Sequence, residues 1–261
     1  MMGLLPWRRS TIIETLTTQA TLIMDANVLA AMARWPDVPD VYGWLSLTAS
    51  GLWRLHPRGD AWQSGMHGAD ESQATDNDSM AGNDPAGESI TSPQILQFID
   101  RNYTCDKHGQ WYFQNGPQKV YVRLDAAPYI LRTVGDSSAS TLCLRTHNGL
   151  DIKTITAWTL DESGKLYAQT EHGPGLIAGR DLAIVLGRIQ TLEDADILDV
   201  LESQAEPDEA IVVKATKLES NQNATDSTVL FKTCAAKTIP QALGFVRYPQ
   251  PTQITNTKPE K

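Results

Sequence analysis

The stretch Trp111-Tyr-Phe-Gln-Asn-Gly-Pro-Gln-Lys-Val-Tyr-Val-Arg-Leu124 decides the fold class. Two runs rich in aromatic and β-branched residues flank Asn115-Gly-Pro117, which is the composition of two strands joined by a turn. In the second run Val120, Val122 and Leu124 share one face. We therefore predict an antiparallel hairpin that turns one face toward a core.

Similar patterns on both sides of this hairpin predict an α+β fold with mostly antiparallel strands. Residues 44–47 and 52–55 flank a Thr-Ala-Ser-Gly loop and predict a second hairpin. Ser92-Pro93 is a typical helix start, and residues 25–35 and 179–189 also have helical patterns. Further strands are predicted at 129–134, 141–146, 152–160, 165–169, 211–213 and 228–231, and a short helix near 195–201.

The order of strand, Ser-Gly turn, strand, loop and helix occurs twice in the sequence. Placing Gly51 on Gly164 aligns residues 47–53 with 160–166, and the helix starts at 90–95 and 177–182 then also correspond. A lone hairpin is marginally stable in water, and a packed helix would bury its apolar face. We therefore predict a repeated hairpin–helix unit, with chance recurrence of a common turn as the alternative.

Composition divides the chain into segments. Residues 58–89 contain seven acids, one base and no Ile, Leu, Val, Phe or Tyr, which predicts a disordered acidic insertion. Residues 1–23 are expected to be a leader that is disordered or absent from the native protein, because Asp25 is the first good helix cap. We predict a first α+β unit at 24–147, a second at 148–202, and C-terminal strands with a disordered tail at 203–261.

Charge and cysteine content exclude several classes of protein. The chain has 261 residues and a net charge of −9, most of it in the acidic insertion, and shows no basic stripe. Binding to nucleic acid or to an anionic membrane surface is therefore not expected. No apolar run approaches the length of a membrane span. The three cysteines, Cys105, Cys143 and Cys234, are too few and too widely spaced for a disulfide framework, so we predict a cytoplasmic protein.

The sequence shows no established catalytic or cofactor motif. Cys105 with His108 and Cys143 with His147 could supply four zinc ligands, but the second pair lies on a predicted strand that would have to bend. The Gly-Pro-Gly segment at 172–179 lacks the spacing of a dinucleotide loop, and we interpret it as a loop that leads into a helix. We predict no metal, no cofactor and no catalytic residues. A Ser/His/Asp set assembled by the fold stays open.

The first hairpin offers a candidate binding surface. Aromatic and amide groups are concentrated there, and they suit recognition of a protein or a small polar ligand. The predicted surface consists of Tyr112, Gln114, Asn115, Gln118 and Tyr121. The alternative is that the aromatic rings belong to the core and the amides satisfy backbone groups of the turn.

Five short motifs resemble a proteobacterial family of uncharacterised domain-of-unknown-function proteins. They are Tyr42-Gly-Trp-Leu45, residues 111–118, Val120-Tyr-Val122, Ala127-Pro-Tyr129 and Gly244-Phe-Val-Arg247. Their layout is similar to a second uncharacterised family with a repeated α+β motif and a suggested signalling role. The resemblance implies the fold and no catalytic residues. We expect a non-enzymatic binding or regulatory module; the alternative is an enzyme, such as a hydrolase, with an unrecognised site.

Overall fold

The structure is a computed structural model that describes residues 25–62, 87–135, 141–203, 210–216, 218 and 227–251. This part of the chain forms two mixed β-sheets and five short α-helices. The predictions for the leader, the C-terminal tail and most of the acidic insertion fall outside these residues. The helices are α1 Ala26–Arg34, α2 Pro93–Arg101, α3 Leu182–Leu186, α4 Ile197–Ser203 and α5 Ile239–Leu243. The strands are β1 Val41–Leu47, β2 Trp53–Leu55, β3 Glu88–Ser89, β4 Tyr103–Cys105, β5 Trp111–Asn115, β6 Gln118–Leu124, β7 Tyr129–Thr133, β8 Leu144–Thr146, β9 Ile155–Asp161, β10 Leu166–Thr170, β11 Gly173–Ile177, β12 Ile211–Lys214 and β13 Thr228–Cys234.

The first sheet contains both predicted hairpins and has the strand order β3-β2-β1-β6-β5-β4. β5 and β6 pair antiparallel, with Asn115 opposite Gln118, as the sequence predicted. β1 lies antiparallel to β2 and parallel to β6. Val122 and Leu124 are completely buried on the face that the alternation predicted. This sheet supplies the floor of the candidate site.

The second sheet has the order β12-β13-β9-β10-β11-β7-β8. Its β11 corrects the prediction of a loop at 172–179, because Gly173-Pro-Gly175 is part of a strand that runs parallel to β7. Glycine and proline usually interrupt strands, which is why the pattern indicated a loop. At Gly175, however, a Cβ atom would lie 2.7 Å from Cγ of Leu131. The missing side chain is therefore what allows β11 to pack beside β7.

Each sheet contains a hairpin, a helical connection and a second hairpin whose last strand lies parallel to the first strand. In the first sheet β1–β2 and α2 precede β5–β6, and β6 pairs with β1. In the second sheet β9–β10, α3 and α4 precede β12–β13, and β13 pairs with β9. The turns at Gly51 and Gly164 hold corresponding places in these two arrangements.

The type of turn found at Gly51 and at Gly164 also occurs elsewhere in the described residues. In the turn that begins at Asp106, the backbone N–H of Gly109 donates to the Asp106 carbonyl and the N–H of Gln110 donates to the Asp106 carboxylate. Corresponding bonds occur in the turns that begin at Thr48, Thr146, Asp161 and Thr191, where the side-chain acceptor is a threonine hydroxyl or, at Asp161, a carboxylate. The fourth residue has a positive φ in all five turns, and in one of them it is Asp194 rather than glycine. Recurrence of this turn in the sequence therefore does not by itself mark equivalent elements.

One contiguous hydrophobic cluster draws on both sheets, so the predicted units are not separate cores. The rings of Trp53, Tyr103 and Tyr129 meet at this junction, with centroids 5.1 Å apart for the first two and 5.9 Å for the last two. β7 and β8 precede the unit boundary predicted at residue 147, and both strands belong to the second sheet. β12 and β13, the strands of the predicted C-terminal segment, lie at one edge of that same sheet.

Two predicted helices are shorter than their patterns indicated. The helix predicted at 179–189 consists of a 3-10 turn at Gly179–Asp181 followed by α3. Ile95, Phe98, Ile99 and Tyr103 have the spacing of one apolar helical stripe, but α2 ends at Arg101 and Tyr103 begins β4. Ile95 of the same stripe is 52% exposed. The exposed Ile95 and the strand that it faces define the candidate site.

Candidate functional site

The five side chains predicted as a binding surface do not form one exposed patch. Three of them are buried: Tyr112, Gln114 and Tyr121. The prediction assumed that this face of the hairpin meets solvent, whereas the Tyr42 ring stacks on Tyr121 with centroids 4.5 Å apart and planes 5° apart. The Tyr121 hydroxyl also donates to the Asp106 carboxylate at 3.2 Å. The aromatic part of the predicted surface is therefore core.

The two glutamines of the predicted surface have different roles. Gln114 is fully buried, and its amide nitrogen donates to the Gly116 carbonyl at 2.8 Å across the turn. Gln118 lies at the surface, and its amide nitrogen donates to the Pro39 carbonyl at 3.0 Å. The alternative interpretation of the amides as backbone partners thus describes both contacts. Asn115 and Gln118 nevertheless line a groove, and their role in binding stays a prediction.

The groove lies between α2 and the face of the first sheet and has a volume of about 710 Å³. Its lining is mainly apolar: Val41, Trp44, Leu45, Leu55, Ile90, Ile95, Phe98, Ile99, Phe113 and Val120. The uncharged polar groups are Ser89, Thr91, Ser92, Asn115 and Gln118, and Glu88 is the single charged residue among those that line it. Cavities of this size and character are typical of small-molecule sites.

A bulge in β1 turns the residues of that strand toward the groove. The pairing of β1 with β6 is regular from Leu45 onward, and its register shifts between Val41 and Leu45. Gly43 lies inside the bulge with φ +79°, and a Cβ atom there would be 2.3 Å from the Gly59 carbonyl oxygen. Only glycine fits this approach. The bulge allows both Val41 and Trp44 to line the groove although they are three residues apart.

Side chains of α2 hold the helix over the sheet. The Phe98 ring packs edge-to-face on Phe113, with centroids 5.4 Å apart. The indole of Trp53 donates to the Asp100 carboxylate at 2.9 Å. Burial raises the pKa of Asp100, while the indole bond opposes that rise. These contacts fix one wall of the groove relative to its floor.

The rim of the groove exposes large apolar side chains to solvent. Trp44 is 44% exposed, Leu55 40% and Ile95 52%. A contiguous apolar surface of this kind commonly marks a place where another molecule binds. None of these three residues was in the predicted surface, whose residues lie on β5 and β6.

Residues 24–250 match the protein family DUF2944, described as "Protein of unknown function (DUF2946)". The chain belongs to this family. Similar solved structures include a DUF1285 family protein from Silicibacter pomeroyi DSS-3, with 14% identity, a TM-score of 0.39 and coverage of 86% of this chain and 97% of that chain. A DUF1285 family protein from Shewanella baltica OS155 has 13% identity, a TM-score of 0.34 and coverage of 53% and 87%. No curated protein matches the sequence.

Membership of DUF2944 confirms the prediction of an uncharacterised family, and it brings no known activity to the groove. The motif at Tyr42-Gly-Trp-Leu45, which suggested the family, contains the β1 bulge and the exposed Trp44. The likeness to the two solved structures is too distant to assign a role to any residue. The site therefore has to be interpreted from its own geometry.

The opposite face of the first sheet holds a second polar arrangement in this DUF2944 protein. The Ser46 hydroxyl lies 2.8 Å from Nε2 of His56, and Nδ1 of His56 lies 4.0 Å from the Asp60 carboxylate. Ser46 and His56 are 0% and 1% exposed. Burial, and then the neighbouring Arg123, lower the pKa of His56, so its ring is neutral at pH 7. The three side chains are thus brought into the order of a Ser-His-Asp set.

Two arginines flank Ser46 on this face. In the pairing of β1 with its neighbours, Ser46 lies opposite Arg54 of β2 and opposite Arg123 of β6. Both arginines have a buried Nε–H without a hydrogen-bond partner in the described structure. Nδ1 of His56 is also buried and has no hydrogen-bond partner there. Arg123 also contacts the carboxylate of Asp125 at 3.0 Å and the carbonyl of Ala61 at 2.5 Å.

The described residues contain no group of three or more His, Cys, Asp or Glu side chains arranged to hold a metal ion. Burial raises the pKa of the Cys105 thiol to about 11, which keeps it protonated. His147 belongs to the aromatic junction of the two sheets, with its ring centroid 5.7 Å from that of Trp53. In the same part of the chain, no helix is both long and apolar enough to cross a bilayer.

Proposed function

We propose that this protein is a cytoplasmic binding module and that the groove between α2 and the first sheet is its non-enzymatic ligand-binding site. The observation that supports the proposal best is the open apolar groove of about 710 Å³ with Trp44 and Ile95 exposed at its rim. Apolar surface left in water costs free energy, and a ligand that covers it recovers that cost.

The lining also favours one class of ligand. Its apolar residues would contact a hydrocarbon or aromatic group, and the amides of Asn115 and Gln118 would accept or donate hydrogen bonds at one end. The single charged residue in the lining is Glu88, and the whole chain carries a net charge of −9. An anionic ligand would be repelled. We therefore propose a small, mainly apolar ligand that is neutral or positively charged, rather than the protein or small polar ligand expected from the sequence.

A fluorescence titration with Nile red, a neutral apolar dye, tests this assignment. We expect saturable binding by the wild-type protein and loss of at least ten-fold in affinity in Ile95→Glu, because a carboxylate would then face the apolar groove. Ile95 is 52% exposed, so the change should leave the fold intact.

The matched control is Leu192→Glu. Leu192 is 53% exposed but lies in the turn before α4, away from the groove lining. This variant should bind the dye like the wild type. Equal loss in both variants, or no effect of Ile95→Glu, would contradict the groove as the binding site.

A further inference from the structure

We propose that Ser46, His56 and Asp60 form a nucleophilic set that hydrolyses carboxylic esters through an acyl-serine intermediate. This activity goes beyond the binding function of the groove and uses the opposite face of the first sheet. The groove is lined by the sheet face that carries Val120. Ser46 is paired with Arg123, and both side chains lie on the other face of the sheet. The two proposals therefore stand or fall separately.

The Ser46–His56 contact has the geometry that activates a serine. Ser46 Oγ lies 2.8 Å from Nε2 of His56, within the reach required of a nucleophile and its base. When the hydroxyl donates to Nε2, the ring proton lies on Nδ1, which faces Oδ1 of Asp60 at 4.0 Å. Nδ1 has no other partner among the described residues.

A contact between Arg58 and the second carboxylate oxygen of Asp60 orients the Asp60 side chain. Oδ2 of Asp60 contacts Nε of Arg58 at 3.3 Å, which leaves Oδ1 directed at His56. A carboxylate in this place stabilises the imidazolium that forms when the ring takes the serine proton. The separation of 4.0 Å is longer than a hydrogen bond, and it would have to shorten in the reacting complex.

The two arginines supply what a tetrahedral intermediate needs. Arg54 and Arg123 are the cross-strand neighbours of Ser46 on its two sides, so their side chains leave the sheet on the same face as Oγ. Each has a buried Nε–H that donates to nothing in the described structure. Positive donors beside a developing oxyanion, in a site that excludes water, lower the barrier to acyl transfer.

The reaction balances with water as the only co-reactant. Ser46 Oγ bonds to the ester carbonyl carbon while its proton passes to Nε2 of His56. The carbon–oxygen bond to the alcohol then breaks, and His56 gives the proton to the leaving oxygen. Water next attacks the acyl carbon, His56 takes a proton from that water and returns it to Ser46, and a carboxylic acid leaves.

Access to Ser46 requires the segment after β2 to move. Ser46 is completely buried, and the segment after β2 is held against β1 by the Ala61 N–H, which donates to the Gly43 carbonyl at 2.9 Å. The Arg123 guanidinium holds the same residue through the Ala61 carbonyl. These two bonds have to open before a substrate can reach Oγ, so we expect slow reaction.

A biotin-linked fluorophosphonate, which reacts with activated serines, tests the proposal on the intact native protein. We expect phosphonylation, with loss of fluoride, on the peptide that contains Ser46, identified by mass spectrometry. Ser46→Ala should remove the label, and His56→Gln should slow labelling by at least about 100-fold. Ser50→Ala is the matched control, because Ser50 is an exposed serine of the adjacent turn, and it should label like the wild type.

The pH dependence of labelling gives a second readout. The groups that act on the His56 ring are Arg123, Asp60, Asp125 and Arg54. The pKa of His56 is lowered from its ordinary value of 6.5. Labelling should therefore stay constant between pH 7 and 8 and fall only when the pH drops below about 6.5. Absence of label on Ser46 in the native protein, or equal labelling of the urea-unfolded chain, would overturn the proposal.

Discussion

The Trp53 indole donates a 2.9 Å hydrogen bond to the Asp100 carboxylate, and this bond joins β2 to α2 at the groove. Trp53 is buried in the hydrophobic core, and Asp100 lies near the end of the helix that forms the groove wall. The bond places a polar contact at the edge of an apolar interface. The Asp100 carboxylate therefore helps to hold the helix wall over the sheet, together with the packing of Phe98 on Phe113.

Replacing that acceptor should destabilise the protein. Asp100→Ala leaves the buried indole N–H unpaired, and we expect the free energy of unfolding to fall by about 1–3 kcal/mol. Asp100→Asn keeps an oxygen acceptor and removes a charge whose burial raises the pKa of the carboxyl, so its loss should be smaller. Urea unfolding at pH 7 compares the two. Equal losses would show that the bond to Trp53 is not what stabilises this contact.

Acid should destabilise the protein through His147. Burial lowers the pKa of His147 to about 3, from 6.5 in the unfolded chain. Between these values the unfolded chain binds a proton that the folded protein does not, so stability is present above about pH 6.5 and is lost as the pH falls. The slope from this residue is about 1.4 kcal/mol per pH unit.

Urea unfolding at pH 7.5, 6 and 5 measures that slope. His147→Phe should reduce it but not abolish it, since the pKa of His56 is lowered in the same direction. His108 is exposed in the turn after β4, and His108→Gln should keep the wild-type slope. A His147→Phe slope equal to that of the wild type would be inconsistent with a neutral buried ring.

The recurring turn offers a matched pair of glycines. Gly109 and Gly164 occupy the same position in two turns of the same type, with φ of +75° and +79°. A Cβ atom on Gly109 would lie 2.4 Å from the Gly244 carbonyl oxygen, whereas nothing lies within 4 Å at Gly164. Gly164→Ala should cost roughly 1–2 kcal/mol for its backbone conformation alone. Gly109→Ala should cost about 1–3 kcal/mol more because of the overlap; equal costs in thermal unfolding would contradict the packing of residue 244.

The glutamines of the hairpin should respond differently to truncation. Gln114→Ala removes a buried donor to the Gly116 carbonyl, and we expect a loss of about 1–3 kcal/mol. Gln118→Ala breaks a bond at the surface, where water replaces the donor, so the loss should stay below about 1 kcal/mol. Denaturant unfolding of the two single variants checks the difference. A larger loss for Gln118→Ala would mean that its contact with Pro39 holds α1 in place.

Local patterns predicted elements better than they predicted exposure. The β5–β6 hairpin could be predicted because its alternation and turn residues are contiguous in sequence. That Tyr121 is covered could not, since the Tyr42 ring that stacks on it comes from a strand far earlier in the chain. The exposed Ile95 looked like core for the same reason: a stripe on a helix does not reveal how much of the facing sheet the helix covers.

The second site depends on strand register, which has no local signal. Ser46 and His56 are ten residues apart, and they meet because β1 and β2 pair around the Gly51 turn. Arg123 reaches the same row through a parallel pairing with β6. A serine, a histidine and an aspartate at this spacing are common in sequences of any function, so only the fold distinguishes them.

The most direct test of the groove is a methyl NMR titration with three molecules that share one carbon skeleton. These are 4-phenylbutylamine, 4-phenylbutanol and 4-phenylbutyrate. Resonances of Ile95, Leu55 and Val120 report on the helix wall, the rim and the floor of the groove. We predict that the amine and the alcohol shift these resonances and bind more tightly than the acid. The amine should bind more tightly than the alcohol because of Glu88, and Glu88→Gln should remove that difference in affinity. Tightest binding by the acid, or shifts confined to methyl groups outside the groove, would contradict the account.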